Sequence, residues 1–338
     1  MRNKQEFQII DGCLCAGGRR FFIKNIKIQS ILSNEGANAT VYLAYDSYLN
    51  RKVALKIWCR KDRKIEISTE RAKEECAKIA KLRHPRISLI YFADIIEGYP
   101  VAVLELLEGV TLQEWLKMRH KFSDRRSIWD QISEALEYCH RGKIFHGDLH
   151  WKNIMVNNEK VTVFDFGSSL FSAYTNSLKR ENRCLLELAG KIFGDIPFDE
   201  LICRADNPEF TRQAIDSVLS ISFRINHLKE KLTKKMTFSD EESYHFIFGI
   251  VCDMADSPII RFDAIERILK ELTFSDRKYE NFVLQIFYNY LSAASTQRLE
   301  DKDMVDVPEN IGRELAEKKY IKWRVYYKRC PTTTVAAT

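Results

Sequence analysis

The sequence predicts an α+β chain, with a β-rich N-terminal third and a mostly helical remainder. Three observations predict it. Short runs rich in β-branched and aromatic residues crowd the first 60 positions. The apolar period then changes from strand-like to helical. Beyond Thr111 helical spacing dominates, broken only by a short β patch near residues 154–164.

Taken in order, residues 21–31 and 40–45 read as strands, and KVALKIW at 52–58 continues them. The small polar stretch 34–38 between them suits a turn. Ala72, Cys76 and Ile79 recur at helical spacing in the charged segment 64–82, which predicts a helix. Strand-like runs return at 87–91 and 100–106. Ile128, Ile132 and Leu136 form one apolar stripe of a following helix. The β patch holds IMV at 154–156 and VTVF at 161–164. Helical patterns fill 179–193, 211–234, 242–256 and 262–290. Phe-Ser-Asp occurs at Phe122, Phe238 and Phe274, each time before a helical pattern. Serine as N-cap with phenylalanine as a staple accounts for it as helix punctuation.

Composition bounds the function classes. The chain has 338 residues, 45% hydrophobic and 30% charged, as in ordinary globular proteins. A net charge of +6 spread over that length gives little reason to expect a nucleic-acid partner. The basic and aromatic stretch KKYIKWRVYYKR at 318–329 is expected to pack its rings and leave its lysines in water. The first dozen residues are polar and charged, without an apolar signal core. The longest uncharged apolar run, near 246–252, is far too short for a bilayer, so no membrane span is expected. Nine scattered cysteines suggest reduced thiols and a cytoplasmic setting. Cys13 and Cys15 read as strand thiols, because no second pair completes a metal site.

Several polar residues stand in a known order. SNEGANATVYLA at 33–44 is a loop with Gly36 at its centre. VALK at 53–56 puts Lys56 in an apolar strand, unusual unless its charge is used. Glu75 precedes His84 by nine residues on the predicted helix, with Glu74 as the neighbouring alternative. Glu75 shares the face of Ala72 and Ile79. VAVLELLEGVTLQEWL follows at 101–116. HGDLHWKNIMV at 146–156 carries Asp148 and, five residues on, Asn153. FDFG at 164–167 follows the second short strand of the patch.

In combination, from residue 26 to residue 167, this set resembles the protein-kinase-like superfamily. The resemblance implies a two-lobed fold. A small antiparallel-sheet lobe with one main helix would span 1–106. A larger, mostly α lobe would span 107–330, and a disordered tail 331–338. It implies ATP and Mg²⁺ as cofactors. Asn34, Gly36 and Ala39 stand where the family has three glycines, and Val41 follows; Ala54 and Met155 would also line the nucleotide site. Backbone groups of Glu105 and Leu107 would bind adenine, with Leu104 guarding the back pocket. Lys56, held by Glu75, would take the α- and β-phosphates, Asn153 and Asp165 the metal, and Asp148 the acceptor hydroxyl.

Three departures bear on the substrate. Gly147 stands where regulated protein kinases have arginine. His150 and Trp151 replace the usual lysine and proline. No Ala-Pro-Glu follows Gly167, so the segment that docks a protein substrate is very short. HGDLH is more like aminoglycoside and choline phosphotransferases and atypical bacterial kinases. The resemblance therefore implies a Ser/Thr protein kinase of atypical bacterial type, acting on a protein. A small-molecule hydroxyl kinase and an ATP-binding pseudokinase scaffold are the alternatives. Oligomeric state is not legible.

Overall fold

The computed structural model describes residues 8–16, 19–33, 39–58, 65–167, 174–194, 196–203, 207–233, 249–250, 253–254 and 260–270. The chain divides into two compact units, residues 1–184 and 185–338. Asn34, Gly36, Phe238, Phe274, the 318–329 stretch and the tail 331–338 lie outside the described residues.

The first unit is built on a five-stranded antiparallel sheet. Its strands are β4 (Ile26–Ser33), β5 (Thr40–Asp46), β6 (Arg51–Ile57), β7 (Ile90–Ile96) and β8 (Tyr99–Glu105), in the order β4-β5-β6-β8-β7. Helix α1 (Ile65–Ala80) joins β6 to β7 and packs against β7 and β8. A three-stranded meander precedes the sheet: β1 (Gln8–Ile10), β2 (Cys13–Ala16) and β3 (Arg19–Phe21). Its Leu14 and Phe21 join Ile28, Tyr42, Leu55, Val101 and Val103 in one buried cluster. The pleat explains the sorting, because alternate residues face that cluster. Cys13 and Cys15 are free thiols on β2, as their spacing suggests.

Beyond β8 lie β9 (Val110–Thr111), the one-turn α2 (Leu112–Trp115) and the long α3 (Phe122–Arg141). Strands β10 (Ile154–Asn157) and β11 (Lys160–Val163) form a second small sheet with β9, in the order β11-β10-β9. The α3 stripe Ile128, Ile132 and Leu136 is fully buried, with Trp129 beside it. Helix α4 (Tyr174–Ile192) then begins. The second unit contains α5 (Phe198–Leu201), α6 (Pro208–Thr233) and α7 (Phe262–Lys270). There the Arg261 N–H donates to Leu201 O at 2.7 Å, and Arg224 pairs with Asp253 at 3.1 Å.

The class is α+β, as the sequence predicts. Four local readings change. The expected strand 21–31 is broken, because Asn25 turns left-handed (φ +64) and Ile26 N–H closes a turn onto Ile23 O. Asparagine tolerates that backbone. Ile87 makes only an isolated bridge to Val163, and strand β7 starts at Ile90. Helix α3 starts at Phe122, so Ser123 lies inside its first turn rather than at the cap. Asp124 instead accepts the Lys121 N–H at 3.0 Å. Helix α4 begins at Tyr174, earlier than residue 179, since its first turn is polar and the apolar stripe shows only later.

Candidate functional site

Strand β6 carries Lys56 toward α1 because its neighbours Leu55 and Ile57 are buried in the cluster on the opposite face of the sheet. Its Nζ lies 3.1 Å from Glu75 Oε2 on α1 and also bonds Asp165. The partner is Glu75; Glu74 faces Lys78 at 3.5 Å. Trp58 Nε1–H donates to Glu75 Oε2 at 3.2 Å, and Lys56 Nζ stands 4.7 Å from the Trp58 ring centroid. Burial pulls the Lys56 ammonium down, but Asp165 and Glu75 more than offset it, and its pKa is raised. Burial pushes the Glu75 carboxyl up against the pull of Lys56. Burial likewise pushes the neighbouring Cys76 thiol up to about 11, so it is a packing group and not a nucleophile.

Of the nucleotide-side candidates, Val41 and Ala54 lie on the paired strands that hold this lysine. Val41 pairs with Lys56 across β5 and β6, and Ala54 pairs with Leu104 across β6 and β8. Ala39 and Leu104 pack against Trp58, Ala72 and Ala102. The Glu105 N–H donates to Leu89 O at 2.9 Å, so any adenine contact at Glu105 would run through its carbonyl. Leu107 is half-buried in the connection after β8, and Met155 lies on β10 opposite Thr111 and Thr162.

Asp148 sits in the loop between α3 and β10. Asn153 Nδ2 donates to the Asp148 carbonyl at 2.9 Å, which fixes the turn connecting them. The Asp148 carboxylate faces His150 at 3.6 Å and Arg180 of α4 at 3.2 Å. His150 first, and Arg180 after it, hold its pKa below the usual carboxylate range. The loop is anchored from beneath. His146 is fully buried, and its Nδ1 accepts the Asp148 N–H at 3.2 Å. Its Nε2–H therefore donates to Phe164 O at 3.0 Å, and its ring stacks on Phe166. Glu181, 1% exposed, accepts the backbone N–H groups of His146 (3.1 Å) and Gly147 (3.3 Å).

Asp165 adopts a left-handed backbone (φ +60), which a non-glycine residue holds only where its surroundings enforce it. Gly167 N–H donates to His146 O at 2.7 Å, and Lys78 Nζ donates to Gly167 O at 2.7 Å. Lys56, Glu75 and Asp165 thus meet in one cluster, and Asp148 and Asn153 in a second. Gly167 lies against Asp148 and joins them. Sequence reading misses Trp58, Lys78, Arg180 and Glu181. Each acts through a contact distant in the chain, and nothing in its local pattern marks it.

Residues 34–185 match the model of the protein kinase domain family. The carbon catabolite-derepressing protein kinase of Saccharomyces cerevisiae is 34% identical over 161 residues, 46% of this chain and 25% of that protein. A probable serine/threonine-protein kinase of Streptomyces coelicolor is 37% identical over 142 residues, 39% of this chain and 21% of the relative. Serine/threonine-protein kinase PrkC of Bacillus subtilis is 32% identical over 151 residues, 42% of this chain and 23% of that protein. The chain spans about a quarter of the length of these curated relatives. A crystal structure of the Mycobacterium tuberculosis PknI kinase domain aligns with 52% of this chain and 75% of that chain, at 16% identity and a TM-score of 0.40. Residues 34–185, which hold all of the side chains in both clusters, are thus similar to the protein kinase domain family.

Proposed function

We propose that this chain is an ATP-dependent phosphotransferase acting on Ser/Thr hydroxyls of a protein substrate, of the atypical bacterial type. The observation that carries the reading is the chain of ionic contacts Glu75–Lys56–Asp165, with Asp148 and Asn153 on the adjoining loop. The residues present fit Mg²⁺ and a nucleotide. Two carboxylates and one ammonium leave net negative charge at Lys56, and the Asp165 side chain is 44% exposed and within reach of a ligand. Among the described residues no group of three or more His, Cys, Asp or Glu is placed to hold a metal. That agrees with Mg²⁺, which takes one or two protein ligands and completes its shell with phosphate oxygens and water.

Lys56, oriented by Glu75, would hold the α- and β-phosphates, and Asp165 and Asn153 would hold the metal. Ala39, Val41, Ala54 and Met155 would enclose the adenine, with backbone contacts from Glu105 and Leu107. When bound, Mg²⁺-ATP supplies the γ-phosphoryl group and neutralises the charge developing on it. Asp148, with its lowered pKa, is ionised at neutral pH, so it orients the acceptor hydroxyl and accepts its proton.

One observation favours a second reading, transfer to a small-molecule hydroxyl. Only residues 168–173 separate Gly167 from α4, little chain for docking a protein. The test is incubation with Mg²⁺ and γ-labelled ATP, beside Asp148→Asn and Asp165→Ala. A generic protein substrate, aminoglycosides and small alcohols run in parallel. Label on protein that both variants lose supports the first reading. Label on a small molecule alone replaces it with the second. ATP binding without transfer to anything leaves a nucleotide-dependent scaffold. No helix among the described residues is long and apolar enough to cross a membrane.

A further inference from the structure

Position 147 is where the resembled family carries the arginine that meets an activation phosphate. Here a side chain would be strained. Its backbone is left-handed (φ +80), and a Cβ there would lie 2.9 Å from the carbonyl oxygen of Gly167. The same added atom would stand 3.6 Å from Lys78 Nζ. The place is therefore taken by a cation from another element, arriving from helix α1.

We propose that Lys78 is a positioning residue that ties helix α1 to the metal-binding loop through the Gly167 carbonyl, replacing an arginine at position 147 with a fixed internal cation. The inference rests on the kinase reading above. Lys78 lies three residues after Glu75, so both project from one face of α1. Glu75 holds Lys56, which holds Asp165; Lys78 holds Gly167 directly. One helix thus grips both ends of the Asp165-Phe166-Gly167 triplet. The Lys78 side chain is only 14% exposed, so its ammonium needs bonded acceptors, the Gly167 carbonyl and Glu74 among them.

The tie also reaches the catalytic loop. Gly167 N–H is bound to His146 O, and a Cβ on Gly167 would lie 2.7 Å from the Asp148 Cβ. Gly167 is thus wedged between Lys78 and Asp148. Displacing α1 breaks the Lys56 and Lys78 contacts together and frees the carbonyl that fixes the loop. No modified residue is needed to hold this arrangement.

The test uses the full chain with Lys78→Met, Lys78→Gln and Lys78→Arg, read by two measurements. The first is hydrogen–deuterium exchange of the ligand-free protein. Lys78→Met removes a charge-assisted bond, so exchange in peptides covering residues 164–167 and α1 rises roughly tenfold. Peptides of β5 and β6 stay at the wild-type rate. Lys78→Gln falls between, and Lys78→Arg keeps the protection. The second is kinetic: Lys78→Met lowers kcat and raises the Mg²⁺ concentration for half-maximal rate, while the acceptor KM is unchanged. Wild-type exchange at 164–167 in Lys78→Met overturns the proposal. So does a uniform rise in exchange that Lys78→Arg does not rescue, which would mark a merely structural residue. A wild-type protein that transfers phosphate to no acceptor defeats the kinase reading instead, and the exchange measurement still decides the tie.

Discussion

The Glu181 carboxylate on helix α4 lies 3.1 Å from the backbone nitrogen of His146, and its second oxygen takes the next N–H, at Gly147. His140 Nε2 approaches the first oxygen at 3.2 Å. Burial alone would push this carboxyl up. The His140 bond and the His146 imidazole beside it reverse that, and its pKa is lowered. A buried carboxylate so placed is a fixed acceptor for the loop that presents Asp148.

Glu181→Ala leaves two backbone donors and the His140 nitrogen without their acceptor. The expected loss is about 3–5 kcal/mol, the range for removing one partner of a buried charged network. Urea denaturation measures it. Glu181→Gln should lose less, since one oxygen remains while the amide N–H₂ opposes a donor. A Glu181→Ala stability within about 0.5 kcal/mol of wild type would show that the loop is held some other way.

His146 gives the stability its pH dependence. With the proton on Nε2, both ring nitrogens are satisfied, and protonating Nδ1 would set it against the Asp148 N–H. Burial is the main cause, and it holds the pKa below the ordinary 6.5. The folded pKa is the lower one. The stabilisation is therefore present above about pH 6.5 and is lost as pH falls through the folded value. Urea midpoints measured from about pH 7.5 down to pH 5 should fall, and His146→Gln should flatten that slope. An equal slope in both proteins removes His146 as the cause.

The sheet was legible because its strands are rich in β-branched and aromatic residues. KVALKIW becomes β6 with Val53, Ala54 and Leu55 buried in succession, and on the α1 face Ala72 and Ile79 are buried and Cys76 packs beside Trp58 and Ala72. Lys56, Glu75, Asp148, Asn153 and Asp165 stand out in the sequence as an ordered set, and the structure brings them into two adjoining clusters. The meander β1–β3 was not legible as a separate sheet. Its strands are three or four residues long, too short to show a period. Glu181 and Lys78 were hidden for another reason. Each sits in a charged helical stretch, KRENR or AKEECAKIAK, that reads as a solvated face, and only tertiary packing turns it inward.

Gly147→Ala tests the packing at the centre of the site. The new Cβ meets Gly167 O at 2.9 Å, and the left-handed backbone adds strain that alanine tolerates poorly. A cost of about 1–3 kcal/mol is expected, read as a lower melting temperature, with turnover reduced further as Asp148 shifts. Gly98 is the control. It is also left-handed (φ +79), but no atom lies within 4 Å of an added Cβ. Gly98→Ala carries the backbone strain alone, so its turnover should stay at the wild-type level. If both variants lose turnover equally, the close approach at Gly147 is not what matters.

Trp58 is a support for Lys56 that can be removed in parts. Its indole N–H donates to Glu75, and its ring underlies the Lys56 ammonium. Trp58→Phe keeps an aromatic face for the cation but deletes the donor. Glu75, already pushed up by burial, then loses one of the contacts that favour its ionised form. Its hold on Lys56 weakens, and the lysine is left held mainly by Asp165. The expected result is a rise in the ATP KM of roughly 3- to 10-fold, as for one lost hydrogen bond to a charged group. Acceptor KM should be unchanged. Trp58→Leu removes the ring as well and should raise the ATP KM further, with a loss of stability from the cluster of Ala72 and Ala102. Equal ATP KM values for wild type and Trp58→Phe would mean that Lys56 and Glu75 are oriented by burial alone, and that the indole N–H contributes nothing to the site.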